Sequence, residues 1–224
     1  MTTDPHAGAP ILRAGGEKRT LAVIVVHGRG GTAAEMVTLG ARLAPSGAAL
    51  FGPQATGRSW WPTSFLAPIG QLEPWLGSAL AAVGRAVDAA RSEGFADDRI
   101  ALMGFSQGAC LALEYAARQG RPLHCVLGLS GALVGVADAD GSPADDLYGQ
   151  RPKRFDYAGR LDGTPVHLGC HERDPHIPLR RVRETEAALS GMGAIVTATL
   201  HPGAGHAVTR EDVVTARTLL ARPG

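Results

Sequence analysis

The first chemical signal in the chain is Gly104-Phe105-Ser106-Gln107-Gly108. It follows the apolar run Ile100 to Met103 and precedes the helical pattern Ala109 to Gln119. A serine is thereby set on a tight strand-to-helix turn, with its hydroxyl raised at a helix N-terminus. Glycines two residues to either side leave room for neighbouring backbone. An ordinary Gly-rich turn with Ser106 as helix cap would share these letters, but the strand before and the helix after favour a nucleophile. A serine hydroxyl attacks weakly at neutral pH, so it needs a base to take its proton and a carboxylate to orient that base. The chemistry implied is acyl transfer.

On such a turn the partners follow in the order serine, acid, histidine, each just beyond a late strand. Asp174 follows the strand-like run Val166 to Leu168, and His206 follows Ile195 to Leu200 in the glycine-rich loop Pro202-Gly203-Ala204-Gly205-His206. Glu172 is the rival carboxylate. Of the eight histidines, His6, His27 and His124 fail the order, while His167, His171, His176 and His201 remain as rivals to His206. His167, His171 and His176 also form a cluster, but its spacing matches no zinc pattern, so no metal is expected. No cofactor is implied.

Ester hydrolysis passes through a tetrahedral oxyanion that needs fixed donors. The loop His27-Gly28-Arg29-Gly30-Gly31, leaving the first long strand, is placed to supply one amide, and Gln107 the other. A phosphate-cradling loop has a similar look, yet this one lacks both the dinucleotide spacing and the Lys-Ser/Thr ending of a P-loop. Two of the three tryptophans, Trp60 and Trp61, stand with Phe65 in a loop after a strand. These aromatics are candidates to line a substrate pocket, or equally to close the core beneath it.

The elements that must position these groups alternate. Short apolar runs at Leu21 to Val26, Ala49 to Phe51, Ile100 to Met103, Cys125 to Leu129, Val166 to Leu168 and Ile195 to Leu200 read as buried strands. Helical spacing links Leu72, Leu76, Leu80, Val83 and Val87, and again Ala109, Leu113 and Ala116. A last helix is expected after Thr209 as N-cap, with Glu211 and Asp212 in its first turn. The pattern predicts an α/β fold, a mostly parallel sheet with helices on both faces and the chemistry at the carboxyl ends of the strands. Residues 1–10 read as a flexible tail ahead of one domain over 11–224. Ile11 to Arg13 is expected to pair with the next strand across Gly15-Gly16. The polar stretch 135–163 has no period and reads as a lid or pocket wall.

The 224 residues suffice for one sizeable core. Twenty-two basic against 21 acidic residues, net +1, argue against nucleic acid or an anionic membrane as partner. There is no targeting signal and no run long enough to span a bilayer, so a cytoplasmic location and a small-molecule substrate are expected. Cys110, Cys125 and Cys170 lack paired spacing and read as reduced core residues. Oligomeric state stays open, a homodimer included.

Four motifs taken together resemble the phospholipase/carboxylesterase family, which includes the acyl-protein thioesterases. They are His27-Gly28-Arg29-Gly30-Gly31-Thr32, Gly104-Phe105-Ser106-Gln107-Gly108-Ala109, Asp174-Pro175-His176-Ile177-Pro178 and Gly203-Ala204-Gly205-His206, within a similarity over roughly residues 20–220. The resemblance implies an α/β-hydrolase fold, metal-free hydrolysis of esters or thioesters, a triad of Ser106, Asp174 and His206, and an oxyanion hole from the amides of Arg29 and Gln107. Where acyl-protein thioesterases usually carry leucine and aspartate in the first loop, this chain has Arg29 and Gly31. That departure points to a carboxylesterase of small, short-to-medium acyl substrates, esters or thioesters, with an acyl-protein thioesterase or lysophospholipase acting on long acyl chains as the alternative. A non-catalytic binding protein on the same fold is the reading from another class.

Overall fold

Along a strand, alternate side chains face opposite sides of the sheet, and here both sides are apolar. In β2 (Ala22–Val26), Ala22, Ile24 and Val26 join one core while Val23 and Val25 join another. Strand β4 (Ile100–Phe105) divides in the same way, Ile100 and Leu102 to the first core, Ala101 and Met103 to the second. Helices cover both. The first core is closed by α3 (Trp75–Ser92), α4 (Gln107–Gln119) and α5 (Leu179–Gly191); the second is closed by α1 (Ala33–Leu43) and α6 (Arg210–Leu220). A short α2 (Ile69–Leu72) precedes α3.

The computed structural model describes residues 4–18, 20–141 and 147–223. Among them lies a seven-stranded sheet in the order β1-β3-β2-β4-β5-β6-β7, with β1 (Ile11–Gly15), β3 (Ala49–Pro53), β5 (Cys125–Leu129), β6 (Pro165–Arg173) and β7 (Ile195–Ala204). All neighbours are parallel except β1 and β3. The α/β-hydrolase architecture expected from the sequence is present. Strands β6 and β7 run several residues beyond their apolar cores, because they stay paired as far as Arg173 and Ala204. They deliver Asp174 and His206 to the carboxyl edge of the sheet.

Three expectations need correction. Strand β1 does not form a hairpin with β2; it pairs antiparallel with β3, Ile11 opposite Pro53 and Gly15 opposite Ala49. Both edges of β2 are already taken by β3 and β4. Nor does the segment before β1 behave as a free tail over its described part, from Asp4 onward. His6 is buried, its amide donates to Ser78 Oγ (2.8 Å), and its ring packs edge-on against Trp60 and Trp75. Residues 1–3 lie outside the described residues.

The stretch 135–163, expected as a lid or pocket wall, packs instead on α4 and α5 where it is described. Lys153 Nζ donates to both carboxylate oxygens of Glu114 (2.9 and 2.8 Å), and Tyr157 Oη donates to Glu114 Oε2 (2.9 Å). Arg181 of α5 reaches the carbonyls of Leu133 and Gly135. Residues 142–146 of this stretch lie outside the described residues.

Candidate active site

The turn between β4 and α4 bears out the geometry its glycines suggest. Ser106 has φ 54° and ψ −122°, a conformation strained for any residue with a side chain. The turn closes tightly enough that a Cβ on Gly104 would stand 2.2 Å from Gly108 O, and one on Gly108 would stand 2.2 Å from Val26 O. Only glycine fits at either position. The result holds the serine hydroxyl clear of the helix axis at the end of β4.

Beside it stand the other two residues. His206 Nε2 lies 2.8 Å from Ser106 Oγ, and His206 Nδ1 lies 2.8 Å from Asp174 Oδ2. Asp174 Oδ1 accepts from the amides of His176 (2.8 Å) and Ile177 (3.0 Å). Burial opposes ionisation of this carboxyl, but the bonds from His206 and from the two amides outweigh it and hold its pKa below the ordinary value. An ionised carboxylate only accepts, so Nδ1 of His206 carries the proton and Nε2 is free to accept from Ser106. The rival Glu172 is exposed at the end of β6.

The rival histidines have other partners. His167 Nε2 (2.9 Å) and His201 Nε2 (3.0 Å) both meet Asp212 Oδ1, beneath the turn that Thr209 caps. Burial opposes ionisation of Asp212, yet bonds from His167, the Thr209 amide and His201 lower its pKa to about 2. His171 packs against Gly205, and His176 lies edge-on to His206 at 4.8 Å. Among the described residues no group of three or more His, Cys, Asp or Glu side chains is arranged to hold a metal ion. Cys110, Cys125 and Cys170 are buried and free. Burial first, and then the Asp174 charge, push the Cys170 thiol up to about 12.

A cleft of about 770 Å³ opens over Ser106. Its walls include Arg29, Met36, Trp61, Phe65, Ile177 and His206. None of the described residues of 135–163 contributes to this lining. Trp61 and Phe65 are in the lining as expected, but Trp60 is not; fully buried, its Nε1 donates to His27 O (2.8 Å). The Arg29 guanidinium donates to Pro62 O (2.8 Å) and Thr63 O. In its loop Gly30 N donates to Arg58 O and Gly31 N to Gly28 O, while the amide of Arg29 makes no such bond among those described. The amide of Gln107 opens α4, where helix geometry provides no internal acceptor. Sequence reasoning missed Cys110 and Ile177 in the lining. Cys110 sits four residues after Ser106, one turn along the same helix face, a spacing that points to it. It also missed the Gln107 side chain, whose partners lie 46 and 47 residues away.

With this geometry in view, the comparisons with known proteins converge. The chain belongs to the phospholipase/carboxylesterase family, whose model matches residues 8–145. That span holds the first loop and the serine turn, whereas Asp174 and His206 lie beyond it. A crystal structure of a phospholipase/carboxylesterase from Dyadobacter fermentans is 34% identical, with a TM-score of 0.84 over 96% of this chain and 97% of that one. The Bacillus cereus carboxylesterase, 17% identical with a TM-score of 0.69 over 96% and 94% of the two chains, shares the fold. Acyl-protein thioesterase 1 of Gibberella zeae is 31% identical over 121 residues, 54% of this chain and 46% of the relative's length. The protein thus belongs to a family of hydrolases. No helix among the described residues is long and apolar enough to cross a membrane.

Proposed function

We propose that the protein is a serine carboxylesterase that hydrolyses small esters of short to medium acyl chains through an acyl-enzyme on Ser106. The observation that carries this reading is the unbroken run Asp174–His206–Ser106, with both contacts at 2.8 Å and a cleft directly above. Ser106 Oγ attacks the ester carbonyl carbon as its proton passes to His206 Nε2. The amides of Arg29 and Gln107 hold the resulting oxyanion. Collapse expels the alcohol, which takes the proton from His206. Water, deprotonated by the same histidine, then attacks the acyl-enzyme and releases the acid with Ser106 restored.

The small-acyl preference rests on Arg29. Its guanidinium, exposed and bound to two carbonyls, forms part of the cleft wall and makes a poor bed for a long alkyl chain. The relative named acyl-protein thioesterase supports the thioesterase alternative, for which the same steps would run with a thiol in place of the alcohol as leaving group. A fluorophosphonate probe should label the wild type once per chain at Ser106, and Ser106→Ala should lose about 10⁶ in kcat while keeping its fold. Retention of a few per cent of activity by purified Ser106→Ala, or failure of the wild type to label, would remove the serine mechanism and favour a binding protein.

A further inference from the structure

The two amides assigned to the oxyanion belong to separate elements, the loop after β2 and the first turn of α4, and a donor pair works only at a set separation. One stretch of chain, residues 55–63, touches both. On the loop side, Trp60 Nε1 donates to His27 O (2.8 Å), Gly30 N donates to Arg58 O (2.7 Å), and the Arg29 guanidinium donates to Pro62 and Thr63. His27 is itself pinned, since its Nδ1 donates to Gly28 O (2.8 Å) and its Nε2 accepts from Ala55 N (3.0 Å). Burial holds this imidazole's pKa below its ordinary value, which keeps it in the neutral form those two bonds require.

On the helix side the link is the side chain of Gln107. Its Oε1 accepts from Trp60 N (2.9 Å) and its Nε2 donates to Trp61 O (2.8 Å), so both ends of the carboxamide are tied to the 60–61 backbone. Gln107, Trp60 and Trp61 are all buried, and buried bonds of this kind cannot be exchanged for water without loss. From outside, His6 Nε2 donates to Trp60 O (3.0 Å) while its Nδ1 accepts from Thr56 N (3.2 Å), fixing the same stretch against α3.

We infer that residues 55–63 form a template that sets the separation of the Arg29 and Gln107 amides, with the Gln107 side chain and Trp60 as its positioning residues. The inference rests on the esterase reading of the preceding subsection. It assigns Trp60 a part in transition-state stabilisation in place of the substrate contact expected from the sequence. Neither side chain touches the reacting atoms; each acts through the backbone it holds.

The test uses Gln107→Met, which keeps the backbone amide and the side-chain length and removes both template bonds. Fluorophosphonate labelling of wild-type Ser106 is run alongside, because its failure would end the esterase reading itself and this inference with it. With labelling intact, kcat of folded Gln107→Met should fall about 10²-fold with KM within about threefold of wild type. Affinity for a boronic acid mimic of the tetrahedral intermediate should fall by the same factor. A variant with lowered Tm but wild-type kcat and boronate affinity would reduce the template to ordinary packing. A raised KM at unchanged kcat would return the stretch to a substrate wall and equally overturn the inference. If Gln107→Met does not fold, Trp60→Phe, which keeps a ring and removes the indole N–H to His27, is read by the same criteria.

Discussion

Asp174 and Glu172 are two residues apart, but only Asp174 lies within bonding distance of His206, with its other oxygen satisfied by the amides of His176 and Ile177. On the proposed reading, Asp174→Asn presents an amide that can donate where the imidazole must donate, favours the wrong histidine tautomer, and lowers kcat by about 10⁴. Exposed Glu172→Gln should stay within about threefold of wild type, a range set by the absence of any named role. Steady-state kinetics on the two folded variants checks the ranking; the reverse order would transfer the orienting role to Glu172. Arg29 acts at the same scale through its side chain, since its backbone donor survives substitution. Arg29→Leu should move the acyl-chain optimum towards longer esters while acetate esters turn over nearly unchanged, each buried methylene contributing about 0.8 kcal/mol. An unshifted profile across a graded series of p-nitrophenyl esters would show that chain length is selected elsewhere in the cleft.

At the level of elements, the decisive junction is where β4 turns into α4 against the end of β2. The helix enters so close to the sheet that Gly108 meets the carbonyls of Val26 and His27, and the same approach brings Gly28 beside Ser106. A Cβ at position 108 would stand 2.2 Å from Val26 O, a backbone atom with nowhere to go. Gly108→Ala should therefore destabilise by about 3 kcal/mol or more, or abolish soluble expression, although alanine favours a helix interior. Urea denaturation followed by circular dichroism gives the measurement, and a stability within about 0.5 kcal/mol of wild type would contradict the close approach. The ends of β6 and β7 matter in the same way. Their pairing persists past the apolar runs to Arg173 and Ala204, with an irregular register after His171, so two loops far apart in sequence emerge side by side.

Across the whole molecule, the stretch after β5 is tied to the back of α4 by a buried ion pair. Glu114 and Lys153 are nearly solvent-free, and Glu114 also receives Arg118 Nε, Tyr157 Oη and the amide of Val134. Burial opposes ionisation of Glu114, but the charges of Lys153 and Arg118 outweigh it and keep its pKa below the ordinary value. Lys153→Met would remove the buried counter-charge of this carboxylate and leave it only the half-exposed Arg118 as ion-pair partner; it should cost about 3 kcal/mol, whereas adding Glu114→Gln should recover part of the loss. A double-mutant cycle by chemical denaturation checks it, and additive effects of the two substitutions would mean that the charges are not coupled. The helix so anchored is the one that presents Ser106, so the pair bears on the site only through the packing of α4.

How much of this could be read without the tertiary structure divides along a physical line. Unbroken runs such as Val23 to Val26, too short for buried helices and rich in β-branched residues, mark strands covered on both faces, and the alternation with helical spacing dictates a parallel sheet. Local chemistry was equally legible: Gly104 and Gly108 around Ser106, the cap at Thr209, and the order of Ser106, Asp174 and His206, because each depends on a few neighbouring residues or on chain order alone. Other features depend on which surfaces meet. Strand β1 pairs with β3 and not with its sequence neighbour because both edges of β2 are taken by β3 and β4; His6 was drawn into the core by Trp60 and Trp75; the described part of stretch 135–163 is held against α4 by the pair Lys153–Glu114. Trp60 and Trp61 show the boundary most plainly. Their aromatic character announces burial, but only the packing of Gln107 between loop and helix decides that one faces the cleft and the other faces His27, since that contact joins residues some 30 to 50 positions apart that no local pattern relates.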